Sequence, residues 1–345
     1  MDFRFANETE IAQWNDLILA NPDNGSVFQG YEFAEQKRLS GWTPLFVIAD
    51  KIALSVHEKN VPGIGKLWYI PKGPGVKTVV QMADMLPGLG KFATQHGAFV
   101  VKVEPELEKS DDATKVLLEV GLLPVRYVQP SSTIKIDLSP DIDTIIANLN
   151  QKGRHAIRRA ERDGVTIKRV ETNDENSREF FNLLTETAAG SFGIRQYNYY
   201  HEFWRRYAEA GLGQMFFAYV EGQVVSAAFA MVFGEKSTYK DGASVRQRTV
   251  YGASHLLQWH VIQWAKEQGS LEHDLLGAPP SSHINDESHP FYGFGRFKSS
   301  FNKEVTDYVG TFDLVIRPRQ YSWWSKFGER LVKSFRYRFH HENWY

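Results

Sequence analysis

The stretch Leu45-Phe-Val-Ile-Ala-Asp-Lys-Ile-Ala-Leu-Ser-Val56 has a counterpart far along the chain in Phe216-Phe-Ala-Tyr-Val-Glu-Gly-Gln-Val-Val-Ser-Ala-Ala-Phe229. In each, two runs rich in apolar, β-branched and aromatic residues flank an acidic turn, the signature of a β-hairpin. The segments after the two hairpins are also alike. The first hairpin is succeeded by an apolar strand from Leu67 ending in the rigid turn at Pro71–Gly75, a helix over Gln81–His96 and a short strand over Phe99–Val103. The second is succeeded by a strand over Ser237–Lys240, a loop over Ser244–Gly252, a helix over Ser254–Gln268 closed by Gly269, and a strand over His273–Leu276. Helices are also expected over Ala6–Leu19, Tyr31–Leu39 and Asp111–Val120. The repeated order predicts two α/β domains, and 345 residues are enough for two apolar cores.

The junction is expected just before Ser139-Pro140-Asp141, which opens a helix with Ser as N-cap and Pro in the first turn; Gly164 stops it. This one long helix would bury Ile145, Ile146, Leu149, Ala156, Ile157 and Ala160. It would place Lys152, Arg154, Arg158, Arg159 and Arg162 near its C-terminal end, where cations suit the helix dipole. The domains are then 1–139, joined by the C-terminal segment 318–345, and 140–317. That segment, from Trp323 to Phe339, mixes aromatic residues with Lys326, Arg330, Lys333, Arg336 and Arg338. It reads either as a helix docked on the first domain or as a basic amphipathic face for an anionic membrane surface.

Several chemistries are excluded by residue content. The chain has no cysteine, so thiolate nucleophiles, zinc-thiolate sites and disulfides are ruled out, and the cytosol is the expected compartment. The charged residues within Met1–Ala20 do not fit a signal peptide. A formal net charge of -1 leaves no global basic field, so any nucleic-acid contact must be local. No G-x-S-x-G elbow occurs. His283 and His289 with Asp286 and Glu287, and the pair His340 and His341, lack metal-ligand spacing, so no metal is expected. The stretch Val245–Ser254 lacks the Q/R-x-x-G-x-G/A loop that cradles the pyrophosphate of a coenzyme A donor.

Four motifs occur in an order and spacing of their own: Ile70-Pro-Lys-Gly-Pro74, Asn150-Gln-Lys-Gly-Arg-His-Ala-Ile-Arg-Arg-Ala-Glu-Arg-Asp-Gly-Val165, Tyr251-Gly-Ala-Ser254, and Gly293-Phe-Gly-Arg-Phe-Lys-Ser-Ser-Phe301 ahead of Tyr308-Val-Gly310. Together they resemble the Fem family, the non-ribosomal peptidyltransferases that build peptidoglycan bridges from aminoacyl-tRNA. The resemblance spans nearly the whole chain. It implies an α/β (α+β) fold of two tandem GNAT-like domains, each a mixed twisted sheet flanked by helices. The chain is most similar to the short FemX-like members, which lack a coiled-coil arm.

The resemblance also assigns residues. Lys37 in Gln29-Gly-Tyr-Glu-Phe-Ala-Glu-Gln-Lys37 and Arg195 fall on ligands of the precursor's phosphates, and Tyr199 keeps the family's R-x-x-x-Y spacing. Lys298 matches the lysine aimed at the developing oxyanion. A fixed cation there stabilises charge that exists mainly in the transition state. Glu104, in Val103-Glu-Pro-Glu106, stands where the family often has Asp-Pro and is the candidate base for an acceptor amine with a pKa of about 10.4. Asp241 replaces a common aromatic residue. Lys152, Arg154, Arg158 and Arg159 are the candidate tRNA contacts.

The implied partners are aminoacyl-tRNA, as co-substrate with no bound cofactor, and a peptidoglycan precursor, either UDP-MurNAc-pentapeptide or lipid II. Contact at the inner face of the membrane would run through the C-terminal segment. Two other readings remain: a coenzyme A-dependent N-acyltransferase of GNAT type on the same fold, despite the missing pyrophosphate loop, and a non-catalytic RNA-binding protein that uses the basic helix and does not need Lys298.

Overall fold

The computed structural model describes residues 1–188, 193–246, 250–340 and 344–345. Part of the expected loop Ser244–Gly252 lies outside them, as do His341 and the side chains of Arg336 and His340. The chain forms two compact units, Met1–Ser131 with Asp307–Tyr345, and Ser132–Thr306.

In chain order, the strands of the first unit begin with β1 (Phe3–Phe5), β2 (Thr43–Ala49), β3 (Ile52–Val61), β4 (Gly65–Ile70), β5 (Ala98–Val103) and β6 (Leu122–Val125). Those of the second are β7 (Lys135–Asp137), β8 (Thr166–Val170), β9 (Gly213–Val220), β10 (Gln223–Phe233), β11 (Lys236–Ser244) and β12 (Glu272–Asp274). A last strand, β13 (Thr311–Val315), returns to the first sheet. The sheet orders are β1-β2-β3-β4-β5-β13-β6 and β7-β12-β11-β10-β9-β8.

Counted from β1 and from β8, the two sheets have one pattern. Three antiparallel steps lead to a parallel pair, β4 with β5 and β11 with β12, and an antiparallel strand comes next. The two hairpins read from the sequence are β2–β3 and β9–β10. Both close over two residues, with the acidic residue left-handed: Asp50 at φ 52° and Glu221 at φ 49°.

The unit boundaries differ from the expected 139/140 and 317/318, for a reason in the sheet pairing. β7, which precedes the helix opening at Ser139, already pairs with β12 of the second sheet. β13 pairs with β5 and β6 of the first. The expected single helix after Ser139 is also two helices. Among the helices that position the site are α1 (Tyr31–Arg38), α2 (Val79–Gln95), α3 (Ile142–Asn148), α4 (Gln151–Arg162), α5 (Tyr197–Glu209), α6 (Ala253–Glu267) and α7 (Tyr292–Lys298). The N-cap of α3 is Asp141, which accepts from the Thr144 N–H, rather than Ser139. The break at Leu149–Asn150 is held by long-range bonds. The Asn150 N–H donates to the Phe301 carbonyl at 2.9 Å, and its side-chain amide donates to that of Ser299 at 3.0 Å.

In the first unit, α2 covers one face of the sheet, with Met82, Leu89, Trp68, Val101 and Phe312 in the core; Trp42, Tyr69, Phe99 and Trp324 form a second, aromatic cluster. In the second, α4 and α6 pack on the sheet through Ile157, Ala160, Phe216, Val261, Ile262 and Phe301.

Two glycines set the spacing around α4. A Cβ added at Gly153 would overlap the Ser300 carbonyl oxygen, and one at Gly252 would overlap that of Ala156, at a φ of 88°. Gly153→Ala should gain about 1 kcal/mol of helix propensity yet lose more to this backbone clash, for a net destabilisation of about 1–3 kcal/mol by denaturant titration. Gly293→Ala, which meets nothing within 4 Å, is the control and should not destabilise.

Candidate active site

Each parallel pair ends with a candidate residue close by, Lys298 in the second unit and Glu104 in the first. In the second unit the last paired residues are Thr238 and Asp274. Beyond them the chain turns through two consecutive left-handed residues, Leu276 at φ 49° and Gly277 at φ 81°. The Leu276 N–H donates to Asp274 Oδ1 at 2.7 Å, and the Thr133 hydroxyl donates to the same oxygen. A non-glycine residue in this conformation costs about 1–3 kcal/mol and marks over-determined sites.

The consequence of the turn is where its carbonyls point. Lys298, the last residue of α7 and only 7% exposed, donates from Nζ to the Gly277 oxygen at 2.6 Å and to the Leu276 oxygen. Burial pulls the amine down from its ordinary value to about 8, partly opposed by Asp274. At neutral pH it therefore remains a cation. An ammonium has three N–H donors, and the two carbonyls use two of them, which leaves one for a further oxygen.

Phe297 and Ser300, close to Lys298 in the chain, line a cavity of about 650 Å³, on whose wall Lys298 itself does not lie. The cavity lies between the end of β11, the start of α6 and α7, with Lys152 and Arg296 also on its wall. Gly252 is the N-cap of α6 and supplies no side-chain cap, and the first residues of the helix, Gly252 to His255, line the cavity. A helix start of this kind favours an anionic or oxygen-rich group. The motif Tyr251-Gly-Ala-Ser254 is this helix start; the Ser254 and Ser226 hydroxyls are 3.1 Å apart.

The candidate tRNA residues divide by geometry. Lys152, Arg158 and Arg159 are on the outward face of α4. Arg159 pairs with Asp163 at 3.4 Å and lies 5.4 Å over the Tyr251 ring. Arg154 instead turns back onto the end of α3, donating to the Ala147 oxygen at 2.6 Å and to that of Leu149. Its guanidinium is thus occupied in joining the two helices.

On α5 and the segment before it, Arg195 lies 4.4 Å over the Tyr199 ring, so these two candidates do meet. A β-bulge adds a residue nearby: Phe229 pairs with Asp241 and Ala230 with Tyr239, which leaves Lys240 as the extra one. Bulges re-aim side chains next to sites. Lys240 donates to Asp241 at 2.9 Å and lies 4.9 Å over the Phe203 ring, and Asp241 also accepts from Trp204 Nε1 at 2.9 Å. Asp241 is thus part of a shielded charge pair; burial first, then the charge of Asp241 working against that of Lys240, raises the phenol of Tyr200 to about 12.

Glu104 stands just past the end of β5, the equivalent place in the first unit. It is 5% exposed and accepts four bonds: from the Val128 and Gln129 N–H groups at 3.0 Å, Thr311 Oγ1 at 2.7 Å and Tyr69 Oη at 2.5 Å. A carboxylate whose oxygens already accept from so many donors is a fixed anchor. The Ile70–Pro74 motif packs here too, with the Gly73 carbonyl accepting from the Glu104 N–H. Lys37 is an interior cation, 3% exposed, 5.2 Å from the Phe33 ring and 5.9 Å from that of Tyr69. Next to it, His57 is fully buried and neither ring nitrogen has a hydrogen-bond partner among the described residues; burial, then the charge of Lys37, holds its pKa well below the usual histidine range.

Sequence reasoning missed His57 and the left-handed pair that orients Lys298. Gly277 with Pro279 and Pro280 after it was the available signal for a sharp turn. Among the described residues, no group of three or more His, Asp or Glu side chains could hold a metal ion.

The FemAB family model matches residues 124–221 and 210–327, together more than half of the chain. A UDP-N-acetylmuramoylpentapeptide-lysine N(6)-alanyltransferase of Weissella viridescens is 27% identical over 92% of this chain and 97% of its own length. A lipid II:glycine glycyltransferase of Staphylococcus epidermidis is 22% identical over 93% of this chain and 95% of its own. The crystal structure of FemX superposes with a TM-score of 0.80 at 19% identity, covering 93% of this chain and 99% of that one. On the strength of the family match, the chain belongs to the FemAB family.

Proposed function

We propose that this chain transfers an amino acid from aminoacyl-tRNA to the side-chain amine of the third residue in a peptidoglycan precursor's stem peptide, building the interpeptide bridge. The observation that carries the reading is Lys298: a buried ammonium, oriented by two carbonyls of a strained turn, on a helix whose residues Phe297 and Arg296 line a cavity shared with the start of α6. The named activities of the relatives, alanyl transfer to a UDP-linked precursor and glycyl transfer to lipid II, support it.

In the reaction, the neutral acceptor amine attacks the ester carbonyl carbon and a C–N bond forms. Negative charge collects on the carbonyl oxygen, where the third N–H of Lys298 meets it. Collapse breaks the bond to the ribose oxygen, which leaves with the proton the amine gives up. The products are an amide and free tRNA. The cavity and the start of α6 are assigned to the acceptor end of the tRNA, with Lys152, Arg158 and Arg159 on its phosphates. Arg195 and Tyr199 are assigned to the precursor's diphosphate. For Lys37 the same assignment rests on the resemblance alone. With four donors already on it, Glu104 fits an anchoring role better than that of the base.

The test is transfer of label from aminoacyl-tRNA to UDP-MurNAc-pentapeptide or lipid II. Lys298→Met should lower kcat by about 10²–10³, the usual effect of losing one oxyanion donor. No transfer to either acceptor, together with acetyl transfer from coenzyme A, would contradict the proposal; RNA binding that is unaffected by Lys298→Met, with no transfer at all, would favour the binding-protein reading.

The pH profile is set by two opposed titrations. Below about pH 8, Lys298 stays charged while the fraction of neutral acceptor amine grows, so the rate should rise with pH. Above it, loss of the Lys298 cation cancels that gain, and a plateau should extend toward the amine's own value of about 10.4. Lys298→Arg, which keeps its charge, should continue to rise past the plateau. Glu104→Gln presents an amide to donors that need an acceptor, so it should cost about 2–4 kcal/mol in chemical denaturation while leaving the slope of the rate with pH unchanged.

A further inference from the structure

The C-terminal segment of the first unit is continuous helix: α8 (Pro318–Trp323), a π-turn over Trp324–Gly328, and α9 (Glu329–His340). Its inner face is docked. Tyr321 donates to Asp313 at 3.0 Å, Trp324 is 1% exposed against Phe99 and Trp344, and Glu329 accepts from Tyr345 and Lys333, both at 2.9 Å.

The outer face carries a different pattern. Trp323, Phe327 and Leu331 are 49%, 59% and 59% exposed, and their four-residue spacing stacks them in one stripe. Arg319, Lys326 and Arg330 are exposed around it. The one carboxylate in residues 318–340 is Glu329, and it is the residue turned inward. The outer face is therefore apolar and purely cationic. A single exposed apolar side chain is ordinary, but three in line, including a tryptophan and a phenylalanine and rimmed by cations, match an interfacial helix.

We infer that the outer face of residues 318–331 docks on an anionic lipid surface, with Trp323, Phe327 and Leu331 entering the headgroup region and Arg319, Lys326 and Arg330 paired with lipid charge. No helix among the described residues is long and apolar enough to cross a membrane, so this contact lies on the surface. Charge complementarity selects a lipid: anionic headgroups satisfy every cation of a face that has no acid of its own. Resting on the proposed transferase reading, the inference adds that the acceptor met at this surface is the lipid-linked precursor.

The test uses the full chain and sedimentation with phosphatidylcholine vesicles, with and without phosphatidylglycerol. Binding should require the anionic lipid and weaken with salt. Phe327→Ser with Leu331→Ser should lower partitioning by at least about tenfold, and Lys326→Glu with Arg330→Glu should abolish the dependence on phosphatidylglycerol. Both double variants should keep transfer to the soluble UDP-linked precursor, which also shows that they fold, while transfer to the lipid-linked precursor in vesicles falls. Wild-type protein that ignores anionic vesicles, or variants that bind as well as wild type, would overturn the surface and leave the stripe to a protein partner. Vesicle binding with transfer to the soluble precursor alone would overturn the acceptor assignment. Failure of transfer to both acceptors sinks the transferase reading and leaves the vesicle result to be judged by itself.

Discussion

Backbone contact at two glycines holds the second unit's site together. Gly153 lets α4 lie against the carbonyl of Ser300, just past Lys298, and Gly252 lets the start of α6 lie against the same helix at Ala156. The end of α7 and the start of α6 are thereby referred to one rod. Interiors are too densely packed to absorb a methyl group at such points without moving a segment. The three glycine-bearing motifs of the second unit are thus far apart in sequence and adjacent around α4.

The electrostatics depend on that packing. Lys298 is buried, yet it is met by two carbonyl oxygens in preference to a carboxylate. A carboxylate would stabilise the cation more but would also cancel the field an oxyanion should feel. Neutral dipoles hold the ammonium in place and leave its charge available, at the expense of a pKa pulled down to about 8. Glu104, at the corresponding strand end of the first unit, is the opposite case, a charge fully absorbed by four donors.

Much of the architecture was legible in the sequence, because it rests on local pattern. The two hairpins, the strand, helix and strand after each, and the two α/β units with mixed sheets depend on alternation and turn residues, and they are found as expected. The features that were not legible depend on partners distant in the chain. β7 and β13 belong to sheets that their positions do not announce. The break between α3 and α4 is held by carbonyls of Ser299 and Phe301. Arg154 looked like one more cation on a basic face until the carbonyls of Ala147 and Leu149 claimed it. Lys298 was named by resemblance, and the turn whose carbonyls hold it was visible only as a glycine and two prolines.

Lys298 is assigned to the charge of the transition state and not to the ground state. The most direct measurement of that role is calorimetric binding of two bisubstrate mimics joining an RNA acceptor end to the precursor's side chain, one through an anionic tetrahedral phosphonate and one through a neutral amide. Lys298→Met should weaken the phosphonate by about 10²–10³ and the amide by far less. Equal weakening of both, or none of the phosphonate, would contradict the role.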